Sequence, residues 1–129
     1  MSISRSIIVV DDELELACLF KAFLKNEGYD VDSFTDPVLA IEYFKETADK
    51  HSLIITDLRM PDICGIDLAK SIREFNSKIK IFLMTAFETK DLEDEEDFIN
   101  ARIDLLIQKP VRFAGLRVMI NDSLKNLTC

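Results

Sequence analysis

The chain has 129 residues, 48% of them hydrophobic and 31% charged, with three Gly and three Pro; this describes a single domain able to bury a core and argues against a linker, a repeat array or a disordered segment. Sixteen Lys and Arg against 24 Asp and Glu leave a net charge of −8, and no run of basic residues offsets it, so direct binding to nucleic acid is not expected. No apolar run approaches the roughly 20 residues of a membrane span, and the first six residues lack the pattern of a signal peptide.

The first element is the apolar run Ile7–Val10, which ends abruptly in Asp11, Asp12 and Glu13. Leu16, Leu19, Phe20 and Phe23 then recur at helical spacing, and Gly28 stops the helix. Tyr29–Phe34 alternates weakly and reads as an edge strand. Asp36 followed by Pro37 signals a helix start ahead of Ala40, Ile41 and Phe44. His51, the sole histidine, falls in a polar connector, which excludes a multi-histidine metal site. Leu53–Ile55 is a second branched apolar run, and Leu68, Ala69, Ile72 and Phe75 form a helical stripe after Gly65. Ile81–Met84 is the next strand. Thr89–Ala101 reads as a helix with a thin apolar stripe, Leu105–Ile107 as the last strand, and Leu116, Met119 or Ile120, and Leu124 as the stripe of the last helix.

Five strands therefore alternate with five helices. Short, continuously apolar strands are those of a parallel sheet buried on both faces. Right-handed crossovers then give a doubly wound α/β fold, with ligands expected outside the carboxyl ends of the strands. Polar residues stand at those ends: Asp11 and Asp12 after the first strand, Thr56 and Asp57 after the third, Thr85 and Ala86 after the fourth, Gln108, Lys109 and Pro110 after the fifth. Singly each has an ordinary reading. The Asp11–Glu13 run could cap a helix, Asp57 could precede a turn at Pro61, and Lys109 could be a surface lysine. Together they make a set suited to phosphoryl transfer onto a carboxylate: a nucleophile, acids for a hard cation such as Mg²⁺, a hydroxyl and an ammonium. The cysteines Cys18, Cys64 and Cys129 show no CxxC spacing, and a reduced, cytoplasmic setting suits them.

Asp11-Asp12-Glu13, Thr56 to Pro61, Gly65, Met84-Thr85-Ala86 and Lys109-Pro110 resemble the motif series of the response-regulator receiver domain of two-component signalling, over about residues 6–126. The resemblance implies a flavodoxin-like fold with strand order 2-1-3-4-5. It implies Asp57 as phosphoacceptor, Thr85 and Lys109 as the phosphoryl-binding hydroxyl and ammonium, and Ala86 as the small residue beside that hydroxyl. Mg²⁺ would be held by Asp12 and Asp57, by Asp11 through water, and by the backbone carbonyl of Arg59. It also implies a cis bond between Lys109 and Pro110. The implied partners are a histidine kinase or phosphotransfer protein as donor, and an output protein bound through the fourth helix, fifth strand and fifth helix. Six acids between Asp91 and Asp97 read as a solvated face or as a docking face for a basic partner.

Only 20 residues follow Lys109, so residues 1–129 read as one receiver domain with no output domain in this chain, either a stand-alone receiver of the chemotaxis type or a receiver excised from a longer protein. The sequence departs from the family pattern at Leu106, where an aromatic residue usually acts as a switch, at Arg102-Ile103, and at Ile63. With Leu106 non-aromatic, loop motion around Thr85–Phe87 is expected to carry the switch, and Arg59 and Phe87 to shield the aspartyl-phosphate from water. Two other classes compete. A phosphatase using an aspartyl-phosphate would need a second acid where Arg59 stands. A flavin-binding protein would need a Gly- and hydroxyl-rich loop where the acids Asp11–Glu13 stand.

Overall fold

The computed structural model describes residues 5–86 and 96–125. Ten elements alternate along the chain: β1 (Ser6–Val10), α1 (Leu14–Asn26), β2 (Asp30–Phe34), α2 (Pro37–Thr47), β3 (Leu53–Asp57), α3 (Gly65–Phe75), β4 (Lys80–Thr85), α4 (Glu96–Ala101), β5 (Leu105–Gln108) and α5 (Phe113–Lys125). The sheet is parallel throughout, in the order β2-β1-β3-β4-β5. The doubly wound architecture and strand order expected from the sequence are both present. Of the expected helix Thr89–Ala101, only Glu96–Ala101 lies within the described residues.

Alternate residues of each strand serve opposite faces. Ile7, Val9, Leu53, Ile55, Phe82, Met84 and Ile107 pack under α1 and α5, against Phe20, Leu24, Leu116, Ile120 and Leu124. Ile8, Val10, Ile54, Ile81 and Leu83 pack under α2, α3 and α4, against Ala40, Phe44, Leu68, Ala69, Ile72 and Ala101. Every residue of β1 and β3 is buried. That explains why these strands are runs of branched apolar residues rather than alternating ones.

Local signals match the helix ends. The Asp36 carboxylate accepts the Val38 N–H at 2.9 Å, with Pro37 in the first turn of α2. Gly28 follows α1 with φ of +95°, a left-handed conformation that favours glycine. The helical stripes need two corrections. Leu19 is 53% exposed, and the inward face of α1 is Ala17, Phe20 and Leu24, flanked by the half-buried Leu16 and Phe23. Phe75, at the end of α3, is also exposed, and Lys45 lies over its ring. Spacing alone cannot tell which edge of a broad apolar stripe meets the sheet.

Candidate functional site at the carboxyl ends of the strands

The parallel sheet places the carboxyl ends of β1, β3, β4 and β5 at one edge, and each strand pair delivers its terminal polar residues there. Val10 pairs with Thr56, Asp57 with Met84, and Thr85 with Gln108. Asp11, just past β1, is fully buried, and Asp57 and Thr85 are nearly so. Asp12 is exposed. The carboxylates of Asp11, Asp12 and Asp57 each offer an oxygen within 4.8 Å of the others.

The backbone around Asp57 is tightly held. Its carboxylate accepts the Leu58 N–H at 3.0 Å, and the Leu58 N–H also reaches the Met84 carbonyl at 2.8 Å. The Gly65 N–H donates to the Leu58 carbonyl at 2.7 Å, closing the loop that follows β3. A Cβ on Gly65 would lie 2.3 Å from the Asp57 carbonyl oxygen and 2.6 Å from Leu83 Cδ1. Glycine here is a packing requirement of the site.

Lys109 enters from the end of β5, anchored by its N–H to the Thr85 carbonyl at 2.7 Å. Its Nζ stands 3.2 Å from Asp57 Oδ2 and 3.6 Å from Asp11 Oδ2. The Lys109–Pro110 peptide is cis, as the resemblance implies. Burial raises the pKa of Asp57, and the nearby ammonium of Lys109 offsets this only in part. Burial pulls Lys109 down, but the attraction of Asp57 and Asp11 outweighs it and the net shift is upward. The ammonium is therefore fully charged at neutral pH.

Two of the three carboxylates, those of Asp11 and Asp57, pair with this ammonium. Asp11 Oδ1 accepts the Glu13 N–H at 2.9 Å, which shapes the turn into α1. Asp11 Oδ2 has no hydrogen-bond partner among the described residues although it is buried. A buried carboxylate oxygen without a hydrogen bond is costly. With only the Lys109 ammonium, at 3.6 Å, beside it among the described residues, Asp11 Oδ2 is a place where a cation could complete the site, and an all-oxygen donor set suits Mg²⁺. The carboxylates of Asp11, Asp12 and Asp57 would be the protein's share of that coordination.

The strand-end residues Asp11, Asp12, Asp57, Thr85 and Lys109 thus lie at one edge of the sheet, with the three carboxylates close together and Lys109 within reach of Asp11 and Asp57. Arg59 is exposed, two residues past Asp57. Leu106 is half-buried and packs into the cluster beneath α3 and α4. Phe87 and the acids Asp91, Glu93, Asp94 and Glu95 lie outside the described residues, as does Cys129. Sequence reasoning missed the role of Gly65 in crowding the Asp57 carbonyl, and the orphaned Asp11 oxygen. A glycine opening a helix eight residues after a strand-terminal Asp was the only signal of the first.

The profile of the response regulator receiver domain matches residues 7–121. The chain belongs to that family, the phosphoacceptor domains of two-component signalling. It is 33% identical over 117 residues to the sensor protein EvgS of Escherichia coli O157:H7, covering 91% of this chain and 9% of that protein. It is 31% identical over 118 residues to the transcriptional regulatory protein ZraR of Klebsiella oxytoca, covering 92% of this chain and 26% of that protein. The chain thus spans only a small part of these relatives. Among solved structures, a response regulator receiver domain protein from Clostridium thermocellum superposes with a TM-score of 0.85 at 22% identity, covering 98% of each chain. The response regulator TrrA of Thermotoga maritima, in complex with Mg²⁺ and BeF, superposes with a TM-score of 0.80 at 29% identity, covering 95% of this chain and all of that one.

Proposed function

We propose that the chain is a switch in which Asp57 accepts a phosphoryl group from a histidine kinase or phosphotransfer protein and thereby changes affinity for an output partner. The observation that carries this reading is the cluster itself: a nearly buried carboxylate, an ammonium at 3.2 Å, and a second buried carboxylate with an orphaned oxygen. A bound Mg²⁺ would neutralise charge on the transferring phosphoryl group. Asp11, Asp12 and Asp57 would hold it, with the backbone carbonyl of Arg59. Lys109 would pair with a phosphoryl oxygen once Asp57 is esterified, exchanging a carboxylate partner for a more highly charged one. The Thr85 hydroxyl would donate to another phosphoryl oxygen. The chain would act only on its own aspartate and turn over no metabolite.

The output face assigned to α4, β5 and α5 is supported by exposed apolar residues on both helices, Ile99 on α4 and Val118 on α5, and by the exposed acids Glu96 and Asp97 of α4. Exposed apolar side chains rimmed by charge suit a protein partner. Arg59 at the position of a second catalytic acid disfavours a phosphatase. Incubation with acetyl phosphate and Mg²⁺ is expected to add the mass of one phosphoryl group, and Asp57→Asn is expected to take up none. Uptake by Asp57→Asn equal to that of the wild type would refute the assignment.

A further inference from the structure

Beside the acidic cluster lies a cleft of about 400 Å³ between the start of α1 and the start of α5. Leu16 and Phe20 of α1 form one wall, and Pro110, Val111 and Phe113 the other. The wall is firm, because Phe113 stacks on Phe23 at 4.5 Å and meets Phe20 edge-on at 5.5 Å. Two residues join the cleft to the site. Ala86 follows Thr85 directly, and Lys109 lines the cleft while its ammonium stands 3.2 Å from Asp57. A lysine can lay its aliphatic stem along an apolar surface and keep its charge elsewhere. The cleft is thus an apolar recess that begins where the phosphoryl chemistry ends.

Such a recess suits a donor with an anionic phosphate at one end and a short hydrocarbon at the other. We propose that the cleft seats the acyl chain of a small-molecule acyl phosphate, so that the chain takes phosphoryl groups from a donor with a short apolar acyl group in preference to acetyl phosphate. The inference rests on Asp57 being the phosphoacceptor. A carboxylate oxygen of Asp57 attacks phosphorus, the bond between phosphorus and the acyl oxygen breaks, and the carboxylate leaves with the electron pair. No proton or oxidant is required. The charge of Lys109 faces the phosphoryl end, and the apolar walls remove the acyl chain from water.

The test compares acetyl phosphate with butyryl phosphate, whose leaving carboxylates are of nearly equal basicity, so that the difference reports the chain. Full burial of a methylene is worth roughly fourfold in binding, so kcat/KM for Asp57 labelling is expected to be about tenfold higher with butyryl phosphate. Val111→Thr keeps the shape of the wall and makes it polar, and Leu16→Ala enlarges the recess. Both are expected to lose most of the butyryl advantage and to keep the wild-type rate with acetyl phosphate. Equal kcat/KM for the two donors in the wild type would overturn the proposal and leave the cleft to side chains of a protein donor. An advantage that persists undiminished in both variants would overturn it as well. Failure of both donors to label Asp57 would instead remove the phosphoacceptor reading, and this inference with it.

Discussion

Asp11 shows how one side chain serves two purposes. One oxygen fixes the turn into α1 through the Glu13 N–H, and the other is left without a hydrogen bond beside Lys109. The sequence placed Asp11 in an acidic run that could equally have capped a helix, and only the fold distinguishes an inward carboxylate from an outward one. Gly65 is the counterpart on the other side of the site. Its missing Cβ makes room for the Asp57 carbonyl, a neighbour that is backbone and cannot swing away. Gly65→Ala is therefore expected to destabilise the fold by about 2–3 kcal/mol, at the upper end of overpacking costs. Urea unfolding would measure this, and an unchanged midpoint would mean that the loop after β3 yields freely.

At the scale of elements, two polar residues whose structural roles local patterning does not show tie distant segments together. Arg73 of α3 is half-buried, though its side chain is only 7% exposed. It donates to the carbonyls of Ala101 and Arg102 at the end of α4, to that of Ser77, and to the Asp104 carboxylate at 3.0 Å. Asp104 in turn accepts the Ile81 N–H of β4 at 2.7 Å. Arg73→Met would keep much of the stem's packing and leave several acceptors unpaired, so a loss of roughly 2–4 kcal/mol is expected, again read by urea unfolding. His51, assigned to a polar connector, is only 4% exposed. Its Nδ1 lies 2.7 Å from the Ser6 hydroxyl and its Nε2 lies 2.9 Å from the Thr47 hydroxyl. Because Thr47 donates to the Tyr43 carbonyl at 2.8 Å, the ring fits best as the neutral tautomer that donates from Nε2 and accepts at Nδ1. Burial lowers its pKa, Lys50 adds to this, and Asp32 opposes it. A folded pKa below the unfolded value of about 6.5 means that the unfolded chain binds more protons. Stability from His51 is thus complete above about pH 6.5 and is lost as the pH falls through the lowered folded value. His51→Gln is expected to flatten that part of the profile below about pH 6.5. A wild-type and a variant profile that run parallel across this window would contradict the neutral, buried assignment.

At the scale of the whole molecule, the doubly wound sheet and the convergence of Asp11, Asp12, Asp57, Thr85 and Lys109 at one edge were legible in the residues, and the strand order in the family resemblance. β1, β3, β4 and β5 each carry a continuous apolar run that ends in polar residues, unlike the edge strand β2, and a parallel sheet has only one carboxyl edge to which such residues can go. The Arg73 anchor and the His51 hydroxyl pair were not legible. Their partners lie up to 45 residues away, as with Ser6 and His51, and neither shows in local periodicity. The outward turn of Leu19 was hidden for a related reason, since an apolar stripe on a helix does not say which of its edges the sheet covers. What unites the molecule is the claim that strand ends gather charge around one carboxylate that becomes phosphorylated. Borohydride reduction converts an aspartyl-phosphate to homoserine, so peptide mass mapping after labelling with acetyl phosphate and Mg²⁺ locates the acceptor directly. Homoserine at position 57 alone is the predicted result; homoserine at position 11 or 12, with residue 57 still aspartate, would contradict the account.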